Sequence, residues 1–236
     1  MLETSKSAHV ILLDKPYRWT SFQAVNKLKY LFRQKLNAKI KIGHAGTLDP
    51  LATGLLIVCT GSFTKQIESY QAQEKEYTGT FSLGATTPCF DKEKEIDFYF
   101  PTEHITEKLI LEATLQFLGD IQQIPPIFSA VKINGERAYA KARRGDVVEI
   151  KPRTIHISEF EITRIDLPEV DFRIVCSKGT YIRSIARDFG IALNSGAHLT
   201  KLCRTRIGNF NLKNALSVED FEKKISEENI VEFLSN

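Results

Sequence analysis

Gly43-His44-Ala45-Gly46-Thr47-Leu48-Asp49-Pro50-Leu51-Ala52-Thr53-Gly54 runs directly into the apolar Leu55–Cys59, and the rest of the chain is organised around it. Three glycines in twelve residues let the backbone turn tightly and approach a ligand closely. His44 and Asp49 are then polar groups held within a turn. A carboxylate so placed serves as nucleophile, base or hydrogen-bond acceptor. A purely structural turn, with Asp49 capping local amides, would use the same residues. The stretch lacks a Gly-Lys-Ser/Thr ending, so it is not a P-loop. Leu55–Cys59 predicts a short buried strand.

Upstream, His9–Leu13 predicts a strand that Asp14-Lys15-Pro16 ends. Thr20 or Ser21 caps a helix running to about Leu36, with Phe22, Val25, Leu28 and Phe32 toward the core. Downstream, Tyr77–Leu83 alternates, with Tyr77, Phe81 and Leu83 on one face and Thr78, Thr80 and Ser82 on the other. Asp91–Pro101 is charged and reads as a loop. Thr106–Leu118 predicts a helix with Gly119 as its stop. Val170, Phe172, Ile174 and Cys176 alternate as a strand, and Ile182, Ile185, Ala186, Phe189 and Leu193 form a helical stripe. Ser217-x-x-Asp220 opens the last helix. Strands and helices mix without strict β-α-β alternation. The expected fold class is therefore α+β, with a largely antiparallel sheet rather than a doubly wound one.

The 236 residues are 42% hydrophobic and 26% charged, the composition of a globular chain. One large domain, or one domain with a small insert, is the expectation at this length. No apolar run approaches a bilayer span and the N-terminus lacks the layout of a signal peptide, so a cytoplasmic protein with no membrane partner is expected. The cysteines at 59, 89, 176 and 203 include no C-x-x-C pair. The histidines show no H-E-x-x-H spacing, so no metal is expected. Cys59 and Cys176 read as small buried hydrophobes.

The net charge of +3 conceals a strong asymmetry. Residues 15–44 hold eight basic side chains and no acidic one, residues 132–153 seven and three, and residues 178–206 six and one. Acid collects in residues 91–120, with eight acidic and three basic side chains. Clustered cations favour a polyanionic partner, because each neutralised phosphate releases counterions. One cluster, between Ile124-Pro125-Pro126 and Lys151-Pro152, is bounded by prolines and looks like an excursion from the core.

Ser177-Lys178-Gly179-Thr180-Tyr181-Ile182-Arg183 follows a clear strand and precedes a clear helix. If the strand persists, Tyr181 and Arg183 share a face, and an arginine beside Asp49 would hold that carboxyl ionised. Tyr77 is either core packing or a platform for stacking on a base. Leu202 is most simply core, and the nearby Arg204 and Arg206 suggest phosphate contacts.

Together these segments resemble the TruB-type tRNA pseudouridine synthases. Gly43–Gly54 fills every fixed position of that family's catalytic loop, close to G-H-x-G-x-L-D-P-x-A-x-G. Asp14-Lys15-Pro16, Lys75-x-Tyr77 with Leu83-Gly84, and Lys178-Gly179-Thr180-Tyr181-Ile182-Arg183 follow in the family's order. Pro125-Pro126-x-x-Ser129-Ala130-x-Lys132 is similar to the family's RNA-gripping thumb, placed here at residues 124–152. The resemblance runs from about His9 to Asn209. It implies the pseudouridine synthase fold: one catalytic domain over 1–236, with a mainly antiparallel mixed sheet flanked by helices and a basic thumb insertion.

The implied activity is isomerisation of a uridine, position 55 in the T-loop of tRNA, on a flipped-out base. Nothing is oxidised and no group is donated, so no cofactor is implied. Asp49 matches the nucleophile. Tyr77 matches the tyrosine that stacks on the uracil, Arg183 the arginine paired with the catalytic carboxylate, and Tyr181 an active-site tyrosine beside it. His44 matches the histidine that helps hold the flipped RNA, Leu202 a residue lining the uridine pocket, and Lys15 a basic residue of the opening strand. The implied partner is the tRNA T-arm, with the protein a monomer. Two departures stand out. Arg18 occupies a place where the family usually has glycine, and a short form without the C-terminal PUA-type domain is expected. The rival reading is a non-catalytic tRNA-binding or folding module.

Overall fold

In a computed structural model the described residues are 8–36, 39–129, 132–133, 136–137, 144 and 150–227. In chain order the elements are β1 (Val10–Lys15), α1 (Ser21–Leu36), β2 (Ile42–His44), β3 (Ala52–Thr60), α2 (Ile67–Ala72), β4 (Lys75–Leu83), β5 (Ala85–Thr86), β6 (Phe98–Tyr99) and α3 (Glu107–Thr114). They continue with β7 (Gly119–Gln123), β8 (Lys132–Ile133), β9 (Glu136–Arg137), β10 (Arg153–Asp166), β11 (Glu169–Cys176), α4 (Ile182–Ala192), β12 (Ala197–Ile207), β13 (Phe210–Asn211) and α5 (Val218–Glu227). The chain divides into two compact units, Met1–Tyr77 with Cys203–Asn236, and Thr78–Leu202. Strands β4 and β12 each run from one unit into the other.

In the first unit β3 pairs antiparallel with β1 along its length and with β2 over Val58–Thr60. The unbroken apolar run of β3 is explained by cover on both faces. Leu56 and Val58 join Ile11, Leu13, Val25, Leu28, Phe32, Phe221 and Ile225 in a core shared by β1, α1 and α5. Leu55, Ile57 and Cys59 face the other way, with Ala45 and Ile207. Helix α1 opens on a capping box: the Thr20 hydroxyl accepts from the Gln23 amide at 3.1 Å, and the Gln23 side chain accepts from the Thr20 amide at 2.8 Å. Its buried stripe holds Val25, Leu28 and Phe32 as expected, but Phe22 is 69% exposed. Phe22 stands on the first turn at the edge of the stripe, where the core side of the helix is taken by Ser21 and Ala24.

In the second unit the strand order is β12-β4-β11-β10-β7, and β10 pairs antiparallel with both β11 and β7. Phe81, Phe117, Phe160, Phe172 and Phe189 form its aromatic centre, with Phe81 stacked on Phe172 at 4.1 Å between centroids. On β4 Tyr77, Phe81 and Leu83 are buried as the alternation requires. Thr80 on the opposite face is buried too, and its hydroxyl donates to Asp171 at 2.6 Å. The expected helix at Thr106–Leu118 is shorter: α3 ends at Thr114, a 3-10 turn follows over Leu115–Phe117, and Gly119 takes φ +82°. Helix α5 opens as expected, with the Asp220 amide donating to the Ser217 hydroxyl at 3.0 Å. The α+β class and the mostly antiparallel sheet hold. Most of the basic excursion lies outside the described residues, which include a β8–β9 hairpin within it. Among the described residues no helix is long and apolar enough to cross a membrane.

Candidate active site

The connection between β2 and β3 carries Asp49, and three other segments of the first unit hold it in shape. The Leu48 amide donates to the Ser21 hydroxyl at 2.8 Å, and that hydroxyl donates to the Leu48 carbonyl at 3.1 Å. Both groups of the residue before Asp49 are thus tied to the first turn of α1. The Ala52 amide donates to the Asp49 carbonyl at 3.1 Å and closes the turn on the other side. The Arg18 amide donates to the Pro50 carbonyl at 2.8 Å. Asp49 itself is partly exposed.

Gly54 shows why the loop needs glycine. Its φ is +101°, and a Cβ there would collide with the backbone carbonyl and amide of Arg204. The close approach brings Arg204 in under the loop. This residue is fully buried, its Nε donating to the Leu55 carbonyl at 2.8 Å and its Nη2 to the Gly46 carbonyl at 3.1 Å. Arg204 is therefore not a surface phosphate contact. Arg206 is engaged as well, 3.0 Å from Glu74 and 3.7 Å from Glu76.

Lys15 lies opposite Gly54 in the β1–β3 register and is fully buried. Its Nζ donates to the carbonyls of Trp19 at 2.6 Å and Pro16 at 2.9 Å. Burial pushes its amine down to about 8; the Asp49 carboxylate opposes that shift and Arg204 adds to it. His44 sits at the end of β2, and burial followed by the Arg204 charge lowers its pKa, so the imidazole is neutral at pH 7. Tyr77 is buried on β4. Two residues before it, the Lys75 amine donates to the carbonyls of Gln71 and Gln73 and so closes the C-terminus of α2. Lys15, His44, Asp49 and Tyr77 thus belong to the first unit.

Tyr181, Arg183 and Leu202 belong to the second. The strand does not persist through Ser177–Arg183: the Thr180 hydroxyl donates to the Ser177 carbonyl at 3.0 Å in a turn, and α4 starts at Ile182. Tyr181 and Arg183 therefore do not share a strand face. The Tyr181 amide donates to the Gln123 side-chain oxygen at 2.8 Å, and the Gln123 nitrogen donates to the Tyr181 carbonyl at 3.1 Å. The Arg153 guanidinium lies 4.6 Å from the centre of the Tyr181 ring, within cation–π range. Arg183 is buried, donating to the carbonyls of Phe128 at 3.0 Å and Cys89 at 3.2 Å, and Asp91 lies 3.5 Å from its Nε. Leu202 is half-buried on β12.

Sequence reasoning missed four residues that support these groups: Ser21 as a brace for the loop, Arg204 beneath it, Gln123 clasping Tyr181, and Asp91 against Arg183. Only Ser21 carried a local signal, as a helix cap. Asp91 was one acid among eight in its stretch.

Residues 33–182 match the family model described as the N-terminal domain of TruB family pseudouridylate synthases. Residues 183–234 match the tRNA pseudouridylate synthase B C-terminal domain. The chain is 64% identical over 218 residues to tRNA pseudouridine synthase B of Flavobacterium johnsoniae, covering 92% of this chain and 95% of that one. It is 56% identical over 231 residues to the protein of the same name from Phocaeicola vulgatus, covering 98% of each. Among solved structures, the crystal structure of a Cbf5-Nop10-Gar1 complex contains a similar chain, with a TM-score of 0.72 and 29% identity over 99% of this chain. The present chain spans 60% of that chain's length. A loop of the family's pattern, braced from beneath by a buried arginine, thus agrees with near full-length matches, and the chain belongs to the TruB family of pseudouridylate synthases.

Proposed function

We propose that this chain isomerises a uridine in the T-loop of tRNA, at position 55, to pseudouridine, with Asp49 as nucleophile. The observation that carries this is the setting of Asp49: a partly exposed carboxylate on a glycine-built turn, braced at Leu48 and Pro50, with the buried cations Lys15 and Arg204 in the same unit. The reaction breaks the C1′–N1 bond, turns the uracil and joins C1′ to C5. The hydrogen on C5 leaves to solvent and N1 gains one. A carboxylate serves this sequence by attacking C1′ or C6, or by taking a proton from C2′ to form a glycal. The target base must first leave its stack, at a cost of a few kcal/mol.

In this proposal Tyr77 stacks on the uracil, and Arg183 pairs with the Asp49 carboxylate. Tyr181 lies beside them, His44 helps hold the flipped-out RNA, and Leu202 lines the uridine pocket. The buried Lys15 supplies positive charge on the Asp49 side. A neutral imidazole at His44 suits hydrogen bonding rather than phosphate neutralisation. Residues 124–152 act as a thumb on the T-arm within one catalytic domain. The protein works as a cytoplasmic monomer, and no cofactor enters the reaction.

Tritium release from a tRNA transcript labelled at C5 of uridine tests this. Wild type is expected to release about one equivalent per tRNA, and Asp49→Asn none. Bound tRNA with no release by wild type would favour a non-catalytic tRNA-binding or folding module.

A further inference from the structure

Arg18 holds a backbone conformation that an arginine adopts at a cost. Its φ is +65°, in the left-handed region, and it stands where the family usually carries glycine. The turn is held in place on both sides: the Arg18 amide donates to Pro50, the residue after Asp49, and the Trp19 amide donates to Pro16 at 3.4 Å. Arg18 and Tyr17 are both exposed, and the Arg18 guanidinium lies 5.6 Å from the centre of the Tyr17 ring. Among the described residues Arg18 has no carboxylate partner. Elsewhere in the same unit Lys27 is tied to Glu222 at 2.7 Å and Arg206 to Glu74, whereas Arg18 stands on a strained turn. The surrounding stretch, residues 15–44, carries eight basic side chains and no acid.

We propose that Arg18, backed by the Tyr17 ring, is a phosphate-binding residue that grips the RNA backbone beside the target uridine. This rests on the RNA-modifying reading above. The charge of the stretch complements a polyanion, and a guanidinium offers the forked donors that match phosphate oxygens. The aromatic face beneath it limits its rotamers, so less freedom is lost on binding. The Pro50 hydrogen bond sets this grip one residue from Asp49, so backbone contact and chemistry share one scaffold. Strain retained at an exposed position is where a functional constraint is expected.

The experiment compares wild type, Arg18→Gly and Arg18→Lys on unmodified tRNA transcript. It measures thermal midpoint, Kd, and the slope of log Kd against log salt. Glycine suits the left-handed backbone, so Arg18→Gly is expected to melt at or above the wild-type midpoint. Its Kd is nonetheless expected to rise about tenfold and its salt slope to shrink by about one. Arg18→Lys keeps the charge and is expected to recover the slope, with Kd between the two. An Arg18→Gly variant with wild-type Kd and slope would overturn the assignment. So would a weaker Kd with an unchanged slope, since that marks a displaced loop rather than a lost phosphate contact. The outcome is separable from the catalytic reading: wild type that binds tRNA but releases no tritium refutes the reaction, whereas wild type that turns over alongside an indifferent Arg18→Gly refutes only the phosphate grip.

Discussion

Lys15 is the residue at which burial and charge conflict most directly. Its ammonium group is enclosed with two backbone carbonyls as hydrogen-bond partners, and burial drives its pKa to about 8 from an ordinary value of 10.5. Below about pH 8 the folded protein carries the full cost of holding that charge inside. Between about 8 and 10.5 the unfolded chain keeps a proton that the folded chain has released, so this group makes stability rise with pH. Lys15→Met should remove that rise. Urea midpoints of the two proteins across pH 7–10 should therefore converge or cross with pH; parallel curves would refute a depressed amine. Next to it, Arg204 shows a different solution to a buried cation: a fixed guanidinium donating to two carbonyls of the loop.

At the scale of elements, the loop between β2 and β3 owes its shape to the start of α1. The Ser21 hydroxyl engages both backbone groups of Leu48, and both residues are buried. Ser21→Ala would leave a buried amide unpaired, which costs about 1–3 kcal/mol. The same change should lower the single-turnover rate of pseudouridine formation about ten- to hundredfold, because small displacements of a reacting group are costly. A variant that is destabilised yet turns over at the wild-type rate would show that the brace supports the fold and not Asp49. The second unit uses a comparable device, with the buried Gln123 side chain holding both the amide and the carbonyl of Tyr181 at the start of α4.

At the scale of the whole molecule, the charge asymmetry separates into cations that are engaged and cations that are available. Arg204 and Arg206 are spent on the fold, so under the proposed function the helix α1 region and the 124–152 excursion are the segments expected to carry RNA affinity. Arg144 is exposed at a turn there, and Arg143 lies outside the described residues. Arg143→Ala combined with Arg144→Ala should reduce the slope of log Kd against log salt for tRNA by about one to two. An unchanged slope would remove the thumb role from these residues.

The sequence by itself determined the α+β class, the two-faced burial of Leu55–Cys59, the extent of α1 and the identity of the glycine loop. Each of these rests on short-range physics: period-two and helical apolar spacing, a capping residue, a glycine where the backbone turns. The expectation for Phe22 failed because a first-turn position at the edge of a stripe is assigned by what packs around it, not by spacing. Only the tertiary structure decided that Arg204 lies under the loop, that Asp91 stands against Arg183 and that Gln123 clasps Tyr181. These partners are separated in sequence by 58 to 158 residues for the hydrogen bonds of Gln123 and of Arg204 to Gly46. No local pattern encodes them, because burial of a charged or polar side chain is settled by which distant carbonyls and carboxylates the fold brings to it.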